Sequence, residues 1–303
     1  LIEGEGQGYH TPVLLHDCIE GLAIRPDGDY VDVTYGGGGH SKVILENLGK
    51  GRLFAFDQDV DAQENIVEDE RLHFIRQNFQ FLKNNLRFQG VREVDGILAD
   101  LGVSSHQFNE ADRGFSTRFD AELDMRMDRD SELTARTVLE EYSKEELVRV
   151  FRQGTDIKHI PGLADAIIRA REIGISSTEQ LKAAIAHRTP DRKRAQFLAQ
   201  VFQAVRIEVN GELEVLARML EQAIDILKPG GRLVVISYHS IEDRLVKHFM
   251  RAGNAEGELV KDFYGRATVP LKAINRKVIV PTEEEIKRNP RARSAKLRIA
   301  EKL

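Results

Sequence analysis

Four consecutive glycines, Gly36 to Gly39, lie in the run VDVTYGGGGHS between a stretch that reads as a strand and one that reads as a helix. Backbone without side chains lets a ligand come close to a helix N-terminus, whose unpaired N–H groups then face it. Neither common phosphate motif is met: Ser41 stands where the third glycine of G-x-G-x-x-G belongs, and Lys42 is not placed as a phosphate loop requires. Asp57 ends the next apolar run, eighteen residues after Gly39, where a carboxylate can accept both hydroxyls of a ribose. Together the loop and the acid specify an adenosine-type ligand. Separately they would be a tight turn and a solvated acid.

Two more strand ends fall on the same edge. RLHFI (71–75) is followed by Asn78 and Phe79, and DGILADLG (95–102) carries Asp100. An aromatic and an acid there suit an adenine, although taken singly Phe79 reads as a core residue and Asp100 as a helix cap. His239 in SYHSIED offers a base or a substrate contact at the end of a later strand, unless Ser240 and Asp243 form a capping box and His239 only orients the turn. Asp100 and His239 are thus the catalytic candidates. No G-x-S-x-G surrounds Ser240, which excludes a serine hydrolase. RGFSTRF (113–119) and LDMRMD (123–128) mix arginines with aromatics and methionines, as a lid over a flipped base would, or as interdomain packing would.

These residues need a scaffold. DYVDVT (29–34), GRLFAFD (51–57), RLHFI and DGILADLG alternate with helix-length segments, which implies a parallel sheet covered on both faces. From 108 to 195 no comparable strand occurs, and helix starts recur: Ser143 with Glu146 and Ser177 with Gln180 fit capping boxes. The sheet resumes at GRLVVIS (231–237), after the helix ELEVLARMLEQAIDIL and a turn at Lys228 to Gly231, and ends with AKLRIA (295–300), KVIV (277–280) being an expected neighbour. The expected organisation is a core in two parts, 1–107 and 196–303, with a helical substrate-recognition insertion at 108–195.

The net charge of −5 argues against nucleic acid, but residues 261–303 hold twelve basic and five acidic side chains, a local +7. A basic tail on an acidic body signals an interaction, or else a surface charged unevenly by chance. The single cysteine, Cys18, cannot pair within the chain and no Cys/His cluster has zinc spacing, so a metal-free protein of a reducing compartment is expected. The start shows no basic region followed by an apolar run, and no eighteen consecutive apolar residues occur, so a soluble, cytoplasmic protein with no membrane partner is expected. The initial Leu leads us to expect that residues precede it. The oligomeric state stays open, a homodimer included.

The strings HTPVLL, YGGGGHS, FDQD, DGILADLGVSSHQ, RGFS, LDMRMD, FQAVRIEVN, PGGRLVVISYHSIEDRLVK and NPRARSAKLRIAE closely resemble, in order and wording, the bacterial 16S rRNA (cytosine-N(4))-methyltransferase family, RsmH or MraW, over about 10–303. The resemblance implies an α/β class I (Rossmann-like) methyltransferase sheet with an inserted helical domain. It implies S-adenosyl-L-methionine as cofactor and 16S rRNA within the small ribosomal subunit as partner, with methylation of a cytidine amine in the decoding region. It maps cofactor contacts onto Gly38, Gly39, His40, Asp57, Phe79, Asp100 and Gln107. FRQGTDIKHIPGLADAIIRA and KRAQFLAQV depart from the commoner family wording, which leaves substrate contacts there unassigned.

A cytidine amine is a poor nucleophile because its lone pair is delocalised, so an acceptor for its hydrogens would assist transfer. Many base-amine methyltransferases place an Asp/Asn-Pro-Pro-aromatic tetrad after the fourth strand. Here Asp100 is followed by Leu-Gly-Val-Ser-Ser, and the backbone carbonyls near Leu101 to Ser105 are the expected acceptors. Rival readings are a nicotinamide-dependent dehydrogenase, a methyltransferase acting on another RNA or a small molecule, and a non-catalytic ribosome assembly factor.

Overall fold

The structure, a computed structural model, describes residues 12–103, 110–261, 263–265 and 267–303. In chain order α1 (Leu15–Leu22) precedes β1 (Asp29–Asp32), α2 (Gly39–Asn47), β2 (Arg52–Asp57), β3 (Leu72–Arg76), α3 (Leu82–Phe88) and β4 (Val94–Asp100). Among the described residues five helices follow: α4 (Ala135–Glu141), α5 (Lys144–Gly154), α6 (Ile160–Ala170), α7 (Thr178–Ile185) and α8 (Arg194–Asn210). Then α9 (Glu212–Ile226) leads to β5 (Leu227–Ser237), α10 (Ser240–Ala252), β6 (Leu271–Ala273), α11 (Glu283–Arg288) and β7 (Lys296–Lys302). Two compact units result, Leu1–Gly102 with Val215–Leu303, and Val103–Glu214.

The first unit holds a seven-stranded sheet of order β3-β2-β1-β4-β5-β7-β6. β1 to β5 pair in parallel, and β7 runs antiparallel to both β5 and β6. Strands covered on both faces carry continuous apolar runs, and Leu53 to Phe56 and Ile97 to Ala99 are buried without a break. Chain order reverses between β1 and β4. In open α/β sheets the crevice outside the carboxyl ends at such a point is where ligands bind.

The second unit is helical and has its own core, which includes Val138, Phe151, Leu163, Ile167, Val201 and Val205. Both anticipated capping boxes are present, at Ser143/Glu146 and Ser177/Gln180. The unit runs to Glu214 rather than stopping near 195, because α8 packs against α4 and α5 through its apolar stripe at Leu198, Val201, Phe202 and Val205. RGFSTRF and LDMRMD contribute to this core: Phe115, Leu123, Met125 and Met127 are buried in it, and buried Arg113 donates to the carbonyl oxygens of Arg126 (2.8 Å) and Met127 (3.1 Å). Within the helical unit they serve as packing.

Two details at the sheet edge differ from expectation. The partner of β7 is β6, only three residues long, whereas 277–280 contributes a single bridge between Ile279 and Leu297. The helix after β5 is capped by His239 and not by Ser240. Asp243 instead accepts from Arg298 Nε at 2.7 Å and lies 3.5 Å from Lys296 Nζ, tying α10 to β7. Among the described residues no helix is long and apolar enough to cross a membrane.

Candidate active site

The carboxyl ends of β1, β2 and β4 bring the glycine loop, Asp57 and Asp100 to one crevice of the sheet. The loop begins with a turn in which the Gly38 amide donates to the Tyr35 carbonyl at 2.8 Å. Gly38 has φ of +73°, and a Cβ there would meet the Tyr35 hydroxyl at 2.7 Å, so only glycine fits. That hydroxyl is itself fixed, donating to the Asn65 carbonyl at 2.7 Å. Gly39 has no room for a Cβ beside Pro12, whereas a Cβ on Gly37 would meet nothing within 4 Å. One side of the loop is packed and the other is open.

Asp57 braces the loop from the end of β2. Its Oδ2 accepts from the Gly36 amide at 2.8 Å and its Oδ1 from the Asp59 amide at 2.9 Å. Burial lifts its pKa to about 6, and the two amides offset only part of that. An ionised carboxylate offers roughly four lone-pair positions, so about two stay available to an incoming donor. Asp32, fully buried at the end of β1, holds the other side: Oδ2 accepts from Ser41 Oγ at 2.7 Å and Oδ1 from the Thr34 amide at 3.0 Å. Burial raises its pKa too, against the opposing pull of His40, Ser41 and Thr34.

Asp100 closes β4, and Thr34 Oγ1 accepts from its amide at 2.7 Å. Its Oδ1 accepts from the Tyr238 hydroxyl at 2.8 Å, and its Oδ2 lies 3.8 Å from His40 Nδ1. Burial is the main reason its pKa rises to about 6; His40 and Tyr238 pull it down, and Asp32 and Glu242 push it up. The buried His40 ring also meets the Val13 carbonyl through Nε2 at 3.0 Å, so it anchors α2 to the chain before α1.

The remaining expected residues divide. Phe79 follows β3 and is partly buried, packed against the main core cluster. Gln107, Ser104 and Ser105 lie outside the described residues. His239 is a helix cap whose Nδ1 accepts from the Glu242 amide at 3.3 Å; its buried Nε2, 3.0 Å from Glu242 Oε1, makes no hydrogen bond. The structure thus gives His239 the task of capping α10. Cys18 is buried, and burial pushes its thiol well up, which makes it an inert core residue. Asp32 and Tyr238 were not anticipated. An acid inside the apolar run DYVDV signals the first; the second has no local signal, because it meets Asp100 only through the pairing of β4 with β5.

Comparisons with known proteins place the whole chain among named relatives. The chain is 58% identical over 297 residues to "Ribosomal RNA small subunit methyltransferase H" of Flavobacterium johnsoniae, covering 97% of this chain and 98% of that protein. It is 52% identical to the protein of the same name from Parabacteroides distasonis, over the full length of both. Among solved structures it is similar to a rRNA methylase from Streptococcus thermophilus, with TM-score 0.43, 12% identity and coverage of 95% and 93% of the two chains, a likeness too distant to support an argument. Residues 7–303 match the MraW methylase family, and the chain belongs to that family.

Proposed function

We propose that this protein transfers the methyl group of S-adenosylmethionine to the exocyclic 4-amino group of one cytidine in the decoding region of 16S rRNA, with the small ribosomal subunit as its partner. The observation that carries the reading is membership of a methylase family along the whole chain, with relatives named as methyltransferases of small-subunit ribosomal RNA. The site fits the cofactor on its own terms: the open side of Gly37 leaves space, and Asp57 keeps acceptor capacity for ribose hydroxyls.

Gly38, Gly39 and the first turn of α2 at His40 would hold the cofactor along the backbone, Asp57 its ribose, and Phe79, Asp100 and Gln107 the rest. When bound, S-adenosylmethionine supplies a sulfonium-activated methyl group. Asp100 stands at the β4 terminus as an ionisable acceptor, held by Tyr238 at 2.8 Å. Above about pH 6 it is a carboxylate, able to accept a hydrogen of the target amine and offset the positive charge that develops on its nitrogen. The carbonyls of Leu101 and Gly102 are neutral acceptors on the same stretch. No metal is needed for such a transfer, only alignment and exclusion of water.

Incubation with labelled S-adenosylmethionine and small subunits lacking the modification tests the reading. Label in RNA is expected. Label in protein only, or none, rejects it, and displacement of the cofactor by NAD rejects the ligand class.

A further inference from the structure

The helical unit carries a groove of about 830 Å3 whose wall includes Lys158, His159, His187, Arg188, Lys193 and Phe197. That size falls in the range of roughly 300–1,000 Å3 usual for ligand clefts. It lies where the start of α6, the turn after α7 and the start of α8 meet.

Its charge is unbalanced. Lys158, His159, His187, Arg188 and Lys193 are all exposed, and among the described residues none of them forms an ion pair. Elsewhere in the same unit Arg126, Arg149, Lys182 and Arg206 each hold a carboxylate, whereas Arg152 and Arg169 are solvated like the groove cations, so what distinguishes the groove is that its cations gather in one concavity. Asp156 is the acid in the groove wall. Solvated cations are ordinary, but three gathered in one concavity, Lys158, Arg188 and Lys193, repel each other and concentrate anions.

The geometry adds a specific anion position. Helix α6 starts at His159 with no side-chain cap, and Pro161 occupies its first turn. Arg188 lies so close over Gly162 in that turn that a Cβ there would collide with its guanidinium. A guanidinium against the positive end of a helix is unfavourable unless an anion sits with them. Asp165, the acid on that helix, feels Arg188 but is held by Lys144 at 2.6 Å. Beside this position Phe197 is half-buried, fixed by the core on one side and part of the groove wall on the other.

Building on the proposed RNA methylation, we infer that this groove binds a single-stranded segment of the substrate RNA, with phosphates on Arg188, Lys158 and Lys193 and a base against Phe197. Phosphate-tracking cations beside an aromatic platform are how proteins hold unpaired strands, and stacking on Phe197 requires an unpaired base.

The test is a triple variant, Lys158→Ala, Arg188→Ala and Lys193→Ala, against a control that removes the same charge from exposed sites on the other unit, Lys50→Ala, Arg87→Ala and Arg92→Ala. Binding is measured to unmodified small subunits and to naked 16S rRNA across a salt series, with folding checked by thermal melting and cofactor affinity by calorimetry. The groove variant is expected to bind both RNA species at least about tenfold more weakly, with a salt slope shallower by about 2, because each lost single-strand phosphate contact removes roughly 0.7. Cofactor affinity is expected to stay at the parent value. Unchanged affinity and slope overturn the inference, as does an equal loss in the control. A defect on subunits with parental binding to naked rRNA overturns it in favour of a ribosomal protein as the partner. A parent that binds RNA but transfers no methyl defeats the proposed function and leaves the groove to be judged by binding alone.

Discussion

Replacing Asp57 by Asn separates the ribose-binding account from a purely structural one. Both carboxylate oxygens already accept backbone amides, Gly36 at 2.8 Å and Asp59 at 2.9 Å. An Asn amide, whichever way it turns, points its NH2 at one of those N–H groups, so the loop loses a brace and the ligand meets a donor where it needs an acceptor. Hydrogen bonds to charged groups contribute about 1.5–3 kcal/mol, so affinity for S-adenosylmethionine at pH 7.5 should fall by about 2–3 kcal/mol, roughly 30- to 150-fold. The pH profile sharpens the test. With its pKa lifted to about 6, Asp57 is ionised at pH 7.5, and below pH 6 the parent must release a proton to bind, so its affinity should fall up to about tenfold per unit. The variant should keep only the dependence that Asp100 imposes. Calorimetry from pH 5 to 8 decides it: a variant that binds as the parent does, or a parent profile that is flat, refutes the assignment.

Asp100→Asn keeps an acceptor for Tyr238 but removes a carboxyl whose pKa is raised from 3.8 to about 6. The raised group stabilises the fold below its unfolded pKa and loses that contribution as pH climbs through 6, so the ligand-free variant should gain about 2–3 kcal/mol over the parent at pH 8. Methyl transfer should fall at least about a hundredfold, and parallel stability profiles in denaturant titrations would contradict this. Gly38→Ala places a non-glycine residue at φ +73° against the Tyr35 hydroxyl, costing about 2 kcal/mol or more, whereas Gly37→Ala should melt as the parent does. Equal melting of the two variants would show that the loop is not packed on one side. Alanine at Arg276, Lys277, Lys287 and Arg288, all exposed, should weaken binding to small subunits and flatten its salt dependence by about one per lost contact, with cofactor affinity unchanged; an unaltered slope would make the tail a solvated surface.

What the chain reveals before folding depends on how local the cause is. The glycine loop and Asp57 are legible because a strand end and a following helix start fix them within a few residues, and the capping boxes at Ser143 and Ser177 are self-contained. Tyr238 is not legible: its contact with Asp100 spans 138 positions and exists only because β4 and β5 are neighbours. The sequence leaves His239 open between a base, a substrate contact and a residue that orients the turn, because the backbone geometry that makes it a cap is decided by where α10 starts. The boundary at 195 missed α8 for a similar reason, since its apolar stripe does not say which helices it will meet. Three-residue β6 has too few positions to show a period.

Nucleoside analysis of the RNA product tests the central claim most directly. Small subunits from a strain lacking the modification are incubated with the protein and labelled S-adenosylmethionine, beside a short hairpin of the same target sequence, and the RNA is digested and resolved by mass. The expected result is a single cytidine carrying the methyl on its exocyclic 4-amino group, formed at least about a hundredfold faster on the particle, roughly 3 kcal/mol in transition-state terms. A methyl on a ring carbon or a ribose, or RNA left unlabelled by a protein that binds the cofactor, would contradict the account.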